Sequence, residues 1–159
     1  MTKAGHVYLI DDDDSMRVSL SRMLRELNYI VEDYSSATVF LEQSVPVSPA
    51  VILLDMQMPD MTGLDLQERL LQVGRRTPIV FVSGQSHPHQ IVQGLKKGAL
   101  DFLFKPFNLD ELLKAVADAI DLDSRQLKRI SIDVETKRNY ESLTPREREV
   151  CVLLVQGLL

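Results

Sequence analysis

Four short apolar runs in this chain each end in a polar side chain, and this feature constrains the fold most. The runs and the polar residues after them are Val7–Ile10 with Asp11 and Asp12, Val51–Leu54 with Asp55, Ile79–Val82 with Ser83, and Leu100–Phe104 with Lys105. Buried strands of this kind are typical of an open parallel sheet, whose ligands bind at the carboxyl ends of the strands. The sequence therefore predicts a site with three carboxylates, a hydroxyl and an ammonium, which can hold a divalent cation and accept a phosphoryl group.

Strand-like and helix-like segments alternate along most of the chain. We predict strands near 6–10, 30–33, 50–54, 78–82 and 100–104, and helices near 14–27, 36–43, 63–72, 88–97 and from 108 to 122 or beyond. This alternation indicates βαβ units, in which each helix connects two parallel strands. We therefore expect an α/β fold that is doubly wound around a five-stranded parallel sheet.

Composition and charge narrow the class of protein further. The chain is 45% hydrophobic and has one cysteine, so an intramolecular disulfide is excluded. Residues 1–120 carry 16 acidic and 11 basic side chains, which makes this part a poor binder of nucleic acid. No apolar stretch approaches the ~20 residues that span a bilayer, and the N-terminus shows no signal-peptide pattern. We expect a cytoplasmic protein without a membrane partner.

The order of the polar residues resembles that of one family. Asp11 with Asp12, then Asp55, Ser83 and Lys105, each after an apolar run, resemble the receiver domain of a two-component response regulator over residues 5–122. The resemblance implies a flavodoxin-like sheet with strand order 2-1-3-4-5. It also implies that Asp55 accepts the phosphoryl group.

The acidic residues are also the expected metal ligands. Two neighbouring carboxylates repel each other, and a bound cation relieves this repulsion. In the family pattern Asp12 ligates Mg²⁺ directly, Asp11 does so directly or through water, and Asp55 is a third ligand. The backbone carbonyl of Gln57 is the further ligand that the resemblance implies. Magnesium suits such a sparse shell because it keeps several of its waters.

Three other residues receive roles from the resemblance. Lys105 is expected to neutralise charge on the phosphoryl oxygens, and a cis peptide bond before Pro106 helps to aim it. Ser83 is expected to donate a hydrogen bond to a phosphoryl oxygen. Phe102 occupies the aromatic switch position, although packing alone explains a phenylalanine there almost as well.

The C-terminal part has a different character. Residues 123–142 are polar and evenly charged and are predicted to form a helical linker. Apolar residues at heptad spacing leave two alternatives, a short coiled coil or a single helix with a solvated extension. Residues 143–159 contain a capping box at Thr144 and Glu147 and resemble the first helix of a LuxR-type helix-turn-helix domain. The recognition helix would follow, so we expect a truncated domain.

These features together predict a response regulator of the NarL/FixJ type. It would receive a phosphoryl group from a sensor histidine kinase, form a phosphorylation-dependent homodimer, and bind DNA only as a full-length protein. It would not be an enzyme beyond its own phosphorylation and dephosphorylation. One alternative is a stand-alone receiver that acts as a phosphate sink or protein-interaction switch. Another is a haloacid dehalogenase-type phosphatase, whose nucleophile motif is mimicked by Asp11 and Asp13.

Overall fold

The computed structural model describes residues 4–84 and 86–157. The strands are β1 His6–Ile10, β2 Ile30–Tyr34, β3 Ala50–Leu54, β4 Ile79–Ser83 and β5 Asp101–Phe104. The helices are α1 Asp14–Glu26, α2 Ala37–Gln43, α3 Gly63–Gln72, α4 Pro88–Lys96, α5 Leu109–Glu141 and α6 Pro145–Val155. All strand pairs are parallel and the order is β2-β1-β3-β4-β5, which confirms the predicted flavodoxin-like α/β fold.

The sheet separates two apolar layers. On one face, side chains of β1, β3 and β4 pack with α1 and α5. On the other face, the alternate side chains of the same strands pack with α2 and α3. All five residues of β3 and all five of β4 are buried, as expected for central strands that are covered on both faces. The sheet is thereby fixed from both sides, and its polar strand ends are held in register.

Local capping explains where several helices begin. Asp13 is the N-cap of α1 and accepts a hydrogen bond from the backbone amide of Met16. Thr62 and Asp65 form a reciprocal capping box that starts α3 immediately after the β3–α3 loop. Each cap satisfies amides that the first helical turn leaves without a partner, and so defines where its helix starts.

The ring of Phe81 on β4 connects several elements. A side chain at Gly63 would meet this ring at 3.0 Å, and one at Gly94 of α4 would meet it at 2.9 Å. Gln67 of α3, which is buried, donates a hydrogen bond to the carbonyl of Gly94 over 2.9 Å. Phe102 of β5 lies with its ring centroid 5.9 Å from that of Phe81. Glycine is therefore needed at both helical positions for α3 and α4 to approach the same ring.

The fifth helix extends further than its predicted minimum, because it continues through the polar segment to Glu141. Asp123 is a buried residue of this helix, although the sequence placed it in a solvated linker. Its carboxylate accepts hydrogen bonds from the Ser48 hydroxyl over 2.7 Å and from the Ala50 amide over 2.8 Å. A buried β3 amide thus explains why a charged residue is buried on α5.

The chain divides into two compact units, residues 1–124 and 125–159. The second unit contains the end of α5 and α6, which begins with the expected capping box of Thr144 and Glu147. In this unit the Arg148 guanidinium donates to the carbonyls of Tyr140 and Glu141 over 3.2 and 2.6 Å. Within the described residues, no helix is long and apolar enough to cross a membrane.

Candidate functional site

Three carboxylates meet at the carboxyl edge of the sheet. Asp11, Asp12 and Asp55 each offer an oxygen atom, and these atoms lie within 4.8 Å of one another. The pairing of Ile10 with Leu54 places the ends of β1 and β3 side by side. The Asp55 amide then donates to the Ile10 carbonyl over 2.9 Å. Strand register therefore brings together residues that are more than forty positions apart in the chain.

Two of these acids are buried, and the third faces solvent. Asp11 is 3% exposed and Asp55 7%, whereas Asp12 is exposed. One carboxylate oxygen of Asp11 accepts a hydrogen bond from the Asp13 amide over 2.9 Å. The Gln57 amide donates to Asp55 over 3.4 Å. These two amide donors balance only part of the negative charge at this edge.

Lys105 is the cation that the fold places in the site. Its Nζ lies 2.8 Å from a carboxylate oxygen of Asp11, and its amide donates to the Ser83 carbonyl over 2.9 Å. The peptide bond between Lys105 and Pro106 is cis, as the resemblance implied. The ammonium thus forms an ion pair with Asp11, one of the expected metal ligands. It also stabilises the negative charge of the Asp55 carboxylate electrostatically.

The electrostatic environment of Asp55 is unfavourable for a carboxylate. Burial, followed by the negative charge of Asp11, raises the pKa of Asp55 from 3.8 to about 7, and Lys105 offsets only part of this increase. Neutralisation by a cation would favour the ionised form. The cluster consists of oxygen donors that crowd together, one of them open to water, so Mg²⁺ fits it chemically. Asp11, Asp12 and Asp55 are the side chains that would hold the ion.

Ser83 and Phe102 lie on the neighbouring strands. Ser83 is 1% exposed and its hydroxyl accepts a hydrogen bond from the Ser86 hydroxyl over 3.2 Å. Phe102 is half-buried, and its ring lies between those of Phe81 and Phe104, at 5.9 and 5.2 Å. The structure therefore places both predicted switch residues on β4 and β5, at or near the strand ends that form the site.

One residue near the site was missed by sequence reasoning. Arg17 donates to the backbone carbonyl of Asp11 over 2.8 Å and also pairs with Asp14 and Asp33, at 2.6 and 3.1 Å. Its spacing of three from Asp14 on a helix was the available signal. By holding the Asp11 carbonyl, Arg17 fixes the backbone that presents the acidic pair.

The fold and this site define a class of protein: a doubly wound domain with a buried aspartate flanked by an acidic pair, a hydroxyl and an ammonium. Residues 7–117 match the model of the response regulator receiver domain. The chain belongs to this family and contains a receiver domain of two-component systems.

Relatives and solved structures agree with this assignment. The chain is 38% identical over 157 residues to the response regulator protein TodT of Pseudomonas putida, covering 99% of this chain and 69% of that protein. It is 34% identical to the transcriptional regulatory protein FixJ of Bradyrhizobium diazoefficiens, covering 99% and 77%. The structure of the response regulator StyR superposes with a TM-score of 0.86 at 34% identity, covering 98% of this chain and 78% of that one.

Proposed function

We propose that this chain is the phosphorylation-controlled part of a cytoplasmic transcription regulator and that Asp55 receives the phosphoryl group from a phosphohistidine of a sensor histidine kinase. The observation that supports this role is the buried Asp55 at the centre of an acidic cluster, with Lys105 held 2.8 Å from Asp11. Receiver domains interact with such kinases, and several relatives of this chain are named as transcriptional or response regulators.

The proposed chemistry is a direct transfer. A carboxylate oxygen of Asp55 bonds to phosphorus as the bond from phosphorus to the histidine nitrogen breaks, and that nitrogen leaves with its electron pair. Lys105 would offset the charge on the phosphoryl oxygens, and Ser83 would donate a hydrogen bond to one of them. A magnesium ion, when bound by Asp11, Asp12, Asp55 and the Gln57 carbonyl, would supply the remaining positive charge. The protein would catalyse only its own phosphorylation and dephosphorylation.

The proposed output follows from the position of Ser83. Movement of Ser83 toward a phosphorylated Asp55, with Phe102 moving inward, would reshape the surface formed by α4, β5 and α5. This surface carries Ile91, Leu95, Lys96, Lys97 and Asp101. Its mixture of apolar and charged groups suits a reversible homodimer, in which paired C-terminal domains of the full-length protein would bind two DNA half-sites.

The acceptor is tested by incubation with acetyl phosphate and Mg²⁺, followed by intact-mass measurement. The expected gain is one phosphoryl group on the unmodified chain and none on Asp55→Asn. Asp13→Asn is the matched control, because it makes the same chemical change at the exposed N-cap of α1, where asparagine caps equally well. Labelling that persists in Asp55→Asn and maps to Asp11 or Asp13 would favour the phosphatase alternative instead.

The output is tested by sedimentation of the beryllofluoride-treated chain. Treatment should increase the dimer fraction of the unmodified chain and leave Asp55→Asn unchanged. A dimer fraction that does not respond at micromolar concentrations would favour release of the C-terminal domain as the output. Specific operator binding by this chain, which spans 69% of the length of TodT, would contradict the assignment of DNA contacts to the longer protein.

A further inference from the structure

The second half of α5 carries an apolar stripe that remains about half exposed in the described part of the chain. Leu127, Ile130 and Val134 are 44%, 48% and 48% exposed. Their spacings of three and four residues place them on one side of the helix, in the a, d and a positions of a heptad. Three exposed aliphatic side chains in one line form a surface that is costly to leave in water.

The same heptad phase extends back into the receiver unit, where it is already occupied. In that phase Val116, Ile120 and Asp123 are the preceding d, a and d positions, and all three are buried. Asp123 occupies a d position but does not belong to the exposed stripe, because its carboxylate accepts hydrogen bonds from Ser48 and Ala50. The exposed stripe thus begins only after the polar position, at Leu127.

We propose that Leu127, Ile130 and Val134 form a short parallel coiled-coil seam with the same residues of a second copy of this chain. The flanking charges support this occupant and this orientation. In a parallel pair, the g residue Asp133 faces the e residue Arg138 of the partner copy, which joins opposite charges twice across the two-fold axis. In an antiparallel pair with Val134 opposite Ile130, Asp133 of one chain would instead face Asp133 of the other chain. The two like charges would repel each other.

The extent of the seam sets its strength. The next d position is Lys137, so the apolar part spans only about two helical turns. Coiled coils this short are weak alone, and the seam would add to a dimer rather than create a tight one. This surface is distinct from the proposed α4–β5–α5 face and does not depend on Asp55, so the two can be tested separately.

The seam is tested by disulfide cross-linking of the whole chain. Cys151, the single cysteine, is first replaced by serine, and then one cysteine is introduced as Val134→Cys in the seam or as Ile132→Cys outside it. Ile132 lies on the same helix at an f position and is 62% exposed, so both thiols are accessible. Under mild oxidation with copper phenanthroline, Val134→Cys should form dimers at least tenfold faster than Ile132→Cys.

Two matched substitutions distinguish a packed seam from random collision. Ile130→Glu should slow cross-linking at Val134→Cys at least tenfold, whereas Ile132→Glu should leave it unchanged. Both isoleucines are exposed, and circular dichroism will check that folding is retained. Equal rates for the two cysteines, or no effect of Ile130→Glu, would overturn the proposal. Adding Asp55→Asn should not change the rates, so a failure of phosphorylation cannot be mistaken for a failure of the seam.

Discussion

The raised pKa of Asp55 predicts an unusual dependence of stability on pH. The unfolded chain releases this proton near pH 3.8, whereas the folded protein keeps it until about pH 7. Between these values the folded state binds a proton that the unfolded state has lost, so the free energy of unfolding decreases as pH rises. Below this window both states are protonated, and above it both are ionised and the loss is complete.

The magnitude follows from the size of the shift. A change from 3.8 to about 7 corresponds to at most ~4 kcal/mol, at 1.36 kcal/mol for each pKa unit. Water reaches this edge of the sheet through the exposed Asp12, so screening reduces the effect and we expect ~2 kcal/mol. Asp55→Asn remains neutral at every pH. Its stability should therefore exceed that of the unmodified chain by an amount that grows from pH 4 to pH 8.

Urea unfolding in metal-free buffer, followed by circular dichroism at several pH values, measures this difference. Asp13→Asn is the matched control, since it removes a carboxylate from the exposed N-cap of α1. Addition of Mg²⁺ at pH 8 should reduce the advantage of Asp55→Asn, because the ion stabilises only the carboxylate form. A gap between Asp55→Asn and the unmodified chain that stays constant from pH 4 to pH 8 would refute the reasoning.

Three further outcomes are expected. Asp12→Ala should weaken Mg²⁺ binding at least tenfold in calorimetry, because it removes one of three clustered carboxylates. An affinity equal to that of the unmodified chain would show that Asp12 is not a ligand. Asp123→Ala should lower the free energy of unfolding by ~1–3 kcal/mol, because it leaves a buried amide without an acceptor. Its control is Asp118→Ala, which breaks an exposed ion pair and should lower the free energy of unfolding by less than ~1 kcal/mol. Gln57→Ala should change the rate of autodephosphorylation severalfold, measured by loss of labelled phosphate, and an unchanged rate would exclude this side chain from the path of the attacking water.

The local parts of the fold were predictable because they depend on neighbouring residues. The apolar runs marked β1 and β3 with correct bounds, and the other strands were located to within one residue. The acidic cluster was equally predictable, since parallel strands bring their carboxyl ends to one edge. The positions two residues after Asp55 and two after Ser83 are also predicted to flank the path of the water that attacks the phosphoryl group. Gln57 lies beside Asp55, and Gln85 lies outside the described residues.

Features that depend on distant contacts were not predictable. Asp123 was interpreted as part of a solvated linker because its neighbours in sequence are polar, yet its partners are more than seventy residues away. Similarly, the sequence showed that Lys105 would reach the site but not that its ammonium would contact Asp11. A side chain with several accessible carboxylates chooses among them by packing, which the sequence pattern does not encode.

The shared ring of Phe81 has a consequence for the tolerance of this domain to mutation. Because Gly63 and Gly94 both abut this ring, Gly94→Ala should cost ~1–3 kcal/mol by overpacking. Phe81→Leu creates space at the same place, so the double variant should lose less stability than the sum of the two single changes. Strictly additive losses would show that the contact is loose. If the coupling holds, a substitution that enlarges Gly94 will be accepted only on a background in which the ring has already become smaller, and the order in which these two positions change will matter. An enlarged Gly63 would gain less from a smaller ring, because its side chain would still meet the Asp55 carbonyl oxygen at 2.7 Å.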